Sequence, residues 1–469
     1  MGKITQLALA MTLLAAGLTA AAETSAPLEL NRDNFTSSVL VAGLEGPWHL
    51  VWGADNQLWV SERQGKRITR VNPETGAKKT VVEIPDAFPV FPHEGVLGFT
   101  LSPDGQALYV FYTYHVGNTA DGARFGRVVK YAYAAATQTA SNQQIILDKI
   151  PAGADHNAGR LLFGPDGNLY LSKGDLGYNQ GGAVFSPIES QRLPTAAEVA
   201  AQDWTAYVGK VLRIAPDGSI PADNPELDGV KSHVFTYGHR NPQGLVFVGD
   251  TLFSSEQGPW SDDEINRLEK GGNYGWPHVA GFQDDNSYVY ANFSAVPAEQ
   301  QAGLKNAAMA ANPNSIPAGV PVAKESDWPT PDNFKAPIKT FYTVPNDFVY
   351  ADSRFGALAY TAWPTIAPSS VIYYPKDGAI PDWRHSLIVT ALKNGEIYVV
   401  RLHEDGKHAQ GDVQTWFHSA NRYRVAALDP AGKRLFVATD NQGNLLGLDR
   451  LPTNQPANPG AILVFTYNK

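Results

Sequence analysis

One local pattern recurs along the whole chain and constrains its fold more than any other feature. It is an apolar strand, a tight turn, and a second strand ending in apolar alternation. Copies lie at 50–60, 99–110, 161–171, 245–253, 387–400 and 425–439. Their turns are built from Asp55-Asn56, Pro103-Asp104-Gly105, Pro165-Asp166-Gly167, Gly249-Asp250, Asn394-Gly395 and Pro430-Ala431-Gly432. Pro presets φ for a turn, and Asp-Gly or Asn-Gly accepts the positive φ that closes a hairpin. Six hairpins of one kind predict an all-β, six-bladed β-propeller. The apolar stretch at 461–467 reads as a strand that closes the ring beside the N-terminal segment and hides an open edge. A sandwich or tandem domains is the competing reading, because the copies are unevenly spaced.

The uneven spacing locates the loops. A minimal four-stranded blade takes about 40–45 residues, so six blades account for only about 260. The surplus falls at 151–203, 257–337 and 342–381, long loops expected on one face of the ring, where binding and chemistry concentrate. Residues 291–326 read as an elaborated loop or a few short helices. Gly (43), Pro (33), Tyr (20) and Trp (10) against only 18% charged residues agree with many turns and aromatic-bearing strands.

Lys3 precedes an apolar run, residues 4–18, followed by Thr19-Ala20-Ala21-Ala22. The run falls short of the roughly 20 apolar residues of a membrane span and matches a cleaved leader. Residues 1–22 are therefore expected to be removed, leaving 23–469 as a single propeller catalytic domain, soluble and periplasmic or secreted. With no cysteine, thiolate metal sites, iron–sulfur clusters and a cysteine nucleophile are excluded. A formal charge of −9 argues against nucleic acid and anionic membranes as partners.

Five clusters could carry chemistry. His156, before the third hairpin, could act as a general base with Asp175, after the same hairpin, fixing its tautomer; a structural histidine is the alternative. Arg240 beside Asn241 offers planar donors for carboxylate or quinone oxygens, or pairs with a local Asp. Gly258-Pro259 followed by Asp262-Asp263-Glu264 supplies hard oxygens suited to calcium, or is a solvated acidic turn. Arg422 and Arg424 alternate onto one strand face, with Lys393 adding a third cation, as a polyanion receptor or as an exposed cationic edge. Tyr360 and Trp363 could stack on sugar C–H groups, or simply pack.

Together these clusters resemble the soluble, periplasmic quinoprotein glucose dehydrogenase family. The likeness runs from about Val41 to the C-terminus and is most specific at 209–213, 238–245, 255–259, 261–266, 271–277 and 421–424. It implies a six-bladed propeller with pyrroloquinoline quinone (PQQ) above the central channel, oxidising aldose sugars at the anomeric carbon to lactones and passing electrons to a soluble acceptor. By resemblance, His156 is the base, oriented by Asp175. Arg240 and Asn241 contact the quinone oxygens, and Lys393, Arg422 and Arg424 hold the cofactor carboxylates. Gly258 and Pro259 bind the calcium at the cofactor. Asp263, Glu264, Tyr274, Ala280 and Asp284 match structural calcium ligands near a dimer contact, which leaves a homodimer open. Asp155, Gln180, Tyr360 and Trp363 match the sugar pocket. Three departures stand out. His93 replaces the usual sugar-contacting glutamine. Phe355 and Ala362 stand where the family has a loop disulfide. Trp260 replaces a small polar residue beside the calcium ligands. A calcium-dependent propeller lactonase and a non-catalytic sugar-binding propeller are the alternative functions.

Overall fold

The computed structural model describes residues 33–309, 311–350 and 356–469. The expected leader and Phe355 lie outside them. Six four-stranded antiparallel sheets follow one another around a ring. In chain order the first strands of the blades are Pro47–Trp52, Val96–Leu101, Leu161–Phe163, Pro242–Val248, Pro368–Tyr374 and Tyr423–Leu428. The second strands are Leu58–Glu62, Ala107–His115, Leu169–Lys173, Thr251–Glu256, Ser386–Ala391 and Arg434–Thr439. First strands of neighbouring blades touch, so they line the axis. The six-bladed propeller expected from the hairpins is borne out.

Ring closure mixes the two ends of the chain. Ile462–Tyr467 pairs with Arg434–Thr439 on one side and with Phe35–Val41 on the other, so the N-terminal strand is the outer strand of the last blade. No blade is left to close the circle alone. Apolar side chains pack between blades, and six clusters fill the six interfaces. Phe35 is buried against Trp383, Trp416 and Phe417, which ties the last two blades together.

Five of the six expected hairpins are first-to-second strand turns. The fifth, at 387–400, joins the second strand of its blade to the third, Ile397–Arg401. The first strand of that blade, Pro368–Tyr374, lies within the stretch read as a loop. It opens on Pro368-Ser369-Ser370, and the next strand follows only after an intervening short helix, Pro381–Trp383, so no tight turn marks it. The stretch at 291–326 carries a 12-residue helix, Ala298–Met309. Among the described residues no helix is long and apolar enough to cross a membrane.

The topology positions the site. In an antiparallel hairpin the start of the first strand and the end of the second lie at the same end. His93, His156, Arg240 and Arg422 precede first strands, and Arg63, Asp175, Gln257, Lys393 and Asp440 follow second strands. All therefore gather on one face of the ring.

Candidate active site

That face holds a cavity of about 720 Å³, lined by His156, Gln180, Arg240, Gly258, Trp276 and Trp363 among others. His156 sits in a left-handed turn, with φ 42° at His156, 49° at Ala158 and 86° at Gly159. A left-handed non-glycine costs about 1–3 kcal/mol and persists only where its surroundings dictate it. Asn157 does so here: its Nδ2 donates to the carbonyls of His93 (2.8 Å) and Gly153 (2.7 Å), and its Oδ1 accepts from Gly153 N (3.0 Å). Gly174 is required opposite, because a Cβ there would lie 2.2 Å from the His156 carbonyl oxygen.

The contacts of the histidine fix its tautomer. Its Nδ1 lies 2.6 Å from Oδ1 of Asp175, which is fully buried. A contact this short to a carboxylate places the proton on Nδ1. Nε2 is then the lone-pair nitrogen, and it accepts from the Gln180 amide at 3.2 Å. Asp175 is held by Gly177 N on Oδ1 (2.9 Å) and by Trp276 Nε1 on Oδ2 (2.9 Å). Trp276 also lies under the Arg240 guanidinium, 5.4 Å from its ring centre. Arg240 donates to Gln180 Oε1 (2.6 Å) and to the Gln257 carbonyl (3.0 Å), and its backbone N–H bonds Glu256. Asn241 Nδ2 donates to Gln257 Oε1 (2.9 Å).

The expected cations divide into two groups behind the cavity lining. Arg424 donates to Asp440 Oδ2 at 2.5 Å, to Gln243 and Ser369 at 3.2 Å each, and stacks 4.2 Å from the Trp48 ring centre. Arg422 reaches the same carboxylate at 3.7 Å and also bonds the Asn444 carbonyl. Burial would raise the Asp440 carboxyl, but Arg424, Arg422 and Arg63 hold it down at about 2. Lys393 stands apart, donating to the Trp363 carbonyl (2.6 Å) and to Thr365 and facing Asp263. Burial pulls its ammonium down and pushes the Asp263 carboxyl up, each held back by the other. Four cations thus face two carboxylates. The Nε atoms of Arg63, Arg240, Arg422 and Arg424 are buried without a hydrogen-bond partner.

Of the expected calcium ligands, Gly258, Pro259, Glu264, Tyr274 and Ala280 surround one small void of about 10 Å³, with Glu256 and Arg240 alongside, roughly the room of one water or ion. Glu264 is pushed well above the usual carboxylate range by burial and by the neighbouring Glu256 charge. Asp263 and Asp284 do not reach this void. Neighbours on a strand face opposite ways, and Asp263 turns to the amides of Gly258 (2.8 Å), Ile366 (2.5 Å) and Ala367 (2.8 Å). Asp284 groups instead with Asp262 and Glu325. Among the described residues no three His, Asp or Glu side chains form a metal cluster by themselves, so carbonyls must complete any calcium shell.

Tyr360 and Trp363 line the cavity with their ring centres 6.4 Å apart, and Trp260 lines it beside Tyr288. Asp155 and His93 stand behind His156. Trp276, Arg63, Asp440, Trp48 and Glu256 were not singled out from the sequence. Trp276 lies within the matching run 271–277, and Asp440 follows its second strand as Asp175 does.

Comparison with known proteins shows the family. The family model described as Glucose / Sorbosone dehydrogenase matches residues 44–334 and 351–447. The chain belongs to that family. Within it, quinoprotein glucose dehydrogenase B of Acinetobacter calcoaceticus is 43% identical over 444 residues, 93% of this chain and 91% of that protein. An aldose sugar dehydrogenase of Escherichia coli is 24% identical over 87% of this chain and 91% of its own length. The structure of the PQQ-bound aldose sugar dehydrogenase from Streptomyces coelicolor superposes with a TM-score of 0.59 at 25% identity, over 92% of this chain and 98% of that one. The family resemblance read from the sequence is borne out.

Proposed function

We propose that the protein oxidises the anomeric carbon of aldose sugars to lactones, with PQQ and calcium bound on the loop face. The observation that carries this is the His156–Asp175 pair, whose Nε2 opens into a cavity that also presents the Arg240 guanidinium. The similarity to the glucose and aldose sugar dehydrogenases of Acinetobacter, Escherichia and Streptomyces supports it.

The residues present fit both groups. Orphaned guanidinium donors and an excess of buried positive charge around Asp440 suit a polycarboxylate. Arg422, Arg424 and Lys393 would hold the carboxylates of PQQ, and Arg240 and Asn241 its quinone oxygens. The void under Gly258 and Pro259, with two repelling carboxylates beside it, suits a calcium ion. When bound, these groups supply a two-electron acceptor for the anomeric hydrogen as hydride and a Lewis acid that polarises its carbonyl.

The chain's own part is acid–base and positional. His156 Nε2 takes the proton of the anomeric hydroxyl, and buried Asp175 stabilises the imidazolium that forms. Gln180 bridges His156 and Arg240 and so fixes their separation. Tyr360 and Trp363 offer ring faces to the sugar. A hydrolase would have no use for the guanidinium group behind the cavity. Export to the periplasm or medium follows from the leader expected at residues 1–22, with electrons leaving to a soluble acceptor. Residues 23–469 would then form one propeller catalytic domain.

Reconstitution tests the reading. Apo protein mixed with PQQ and calcium should gain a bound-quinone absorbance that bleaches when an aldose is added. If neither change occurs, the dehydrogenase assignment is wrong.

A further inference from the structure

Beside the His156–Asp175 pair lies a second imidazole–carboxylate pair of the same wiring. Nδ1 of His93 is 2.7 Å from Oδ1 of Asp155, as Nδ1 of His156 is 2.6 Å from Asp175. The two rings stack at 6.2 Å between centres, inclined by 26°. A bare nitrogen lone pair against a carboxylate oxygen at that distance repels, so the His93 proton sits on Nδ1. The backbone N–H of His156, within 3.0 Å of both partners, is then served by Asp155 Oδ1 at 2.9 Å. His93 Nε2 has no hydrogen-bond partner among the described residues, and it is from there that the imidazolium loses its proton.

The pair sits where charge matters. Oδ2 of Asp155 is 3.9 Å from Nε2 of His156, the atom that must be unprotonated to act as base, and 3.3 Å from the Gln180 amide. Against a burial effect that would raise it, Asp155 is held well below the usual carboxylate range by His156 and His93.

The loop carrying His93 is fixed rather than loose. Its neighbour Glu94 is fully buried and engaged by His115 (2.9 Å), Arg124 (2.8 Å) and Phe91 N (3.0 Å). Arg63 ties the Phe91 and Glu94 carbonyls (3.2 and 3.3 Å), and Trp48 abuts the His93 ring edge-on at 5.7 Å. The charged and titratable groups facing His93 are thus Asp155 and His156, with Asp175 beyond. Glu94 is already satisfied, and Arg63 is directed at carbonyls and toward Asp440.

Resting on the dehydrogenase reading of this site, we propose that His93 is a positioning residue that sets the working pH of the base, by pairing with Asp155 and masking its charge from His156. A charged His93 compensates Asp155, so the carboxylate does little to favour protonated His156. Without the imidazole, the same carboxylate stands uncompensated at 3.9 Å from Nε2 and holds a proton there. An opposite charge at such distance moves a titration by about 1–3 pH units, and the low end applies because Asp155 is half-exposed, 46% by side chain.

The test is His93→Gln, which keeps an amide donor for Asp155 but carries no charge. Imidazole NMR titration of the apo protein should show the His156 midpoint about one pH unit higher in the variant than in the parent. The acid limb of kcat/KM should move the same way. A midpoint that is unchanged or lower overturns the proposal. His93→Asn repeats the charge change should the glutamine variant fail to fold. The NMR readout needs neither quinone nor turnover, so the midpoint could shift in a protein that oxidises no sugar; only the dehydrogenase reading would then fall.

Discussion

Asp175→Asn isolates the electrostatics of the base, and its effect can be worked from three contacts. The buried carboxylate accepts from His156 Nδ1 and Gly177 N on one oxygen and from Trp276 Nε1 on the other. An asparagine has one acceptor oxygen, and Trp276 can only donate. If the oxygen faces Trp276, the amide NH2 faces His156 Nδ1, forces the imidazole proton onto Nε2 and blocks the base; it also meets the Gly177 N–H donor to donor. If the amide flips, NH2 collides with the Trp276 donor. Either way one buried donor is orphaned, at about 1–3 kcal/mol. The imidazolium of the transition state also loses a charge-assisted bond of about 1.5–3 kcal/mol. The orphaned donor lowers stability, while that lost bond and the blocked base predict a kcat lower by about 10²–10⁴, in line with about 10⁴ for the same change in a Ser-His-Asp triad. Affinity for the quinone should stay within about two-fold, because Asp175 does not reach the Arg422–Arg424–Asp440 group. Steady-state turnover of the reconstituted variant with a dye acceptor, beside a quinone titration, reads both numbers. A variant keeping more than a tenth of parental kcat would refute the tautomer argument.

Two further outcomes follow from buried charges elsewhere. Asp440→Asn strips the one carboxylate shared by Arg63, Arg422 and Arg424, so the apo melting temperature should fall by the equivalent of about 3–5 kcal/mol. Added quinone should raise it by more than in the parent; an equal or smaller rise in a thermal-shift titration would remove this group from the binding site. Lys173 is fully buried, and burial pulls its ammonium from 10.5 down to about 7. Between those values the unfolded chain holds a proton that the folded one lacks, so this group makes stability climb with pH by up to about 1.4 kcal/mol per unit, and it is lost as pH falls toward 7. Lys173→Met should flatten that climb in denaturant titrations at pH 7–10; identical slopes would contradict it.

How far the sequence reveals the molecule depends on how local the information is. Hairpins are local: turns built from Pro, Asp, Asn and Gly, with apolar alternation, mark five of the first-to-second strand turns in place. Pro368–Tyr374 escapes because its start is polar and its partner strand arrives after a short helix instead of a tight turn. His156 and Asp175 are legible for the same reason, since one hairpin carries both. Asp440 against Arg63, and His93 against Asp155, join different blades, and only the closed ring brings them together. The calcium residues show the opposite error. Asp263 and Glu264 read as one acidic pair, yet strand alternation sends one to Lys393 and the other to the void under Pro259.

The guanidinium group has a thermodynamic consequence for the empty fold. Arg160 lies among the same inner strands, bonded to the Gln243 (3.1 Å) and Ser369 (3.4 Å) carbonyls, and is pulled down to about 9 by burial and then by Arg424. Three or four buried cations around a single Asp440 repel one another, and each orphaned Nε adds a desolvation cost with no bond in return. Without Asp440 the repulsion would threaten folding; a second carboxylate would leave the group less positive and weaken its attraction for an anion. One carboxylate leaves a folded but under-compensated pocket, in which an arriving polycarboxylate gains both its own contacts and the relief of that repulsion. On the proposed cofactor reading, ligand binding and fold stability would be linked at this end of the ring.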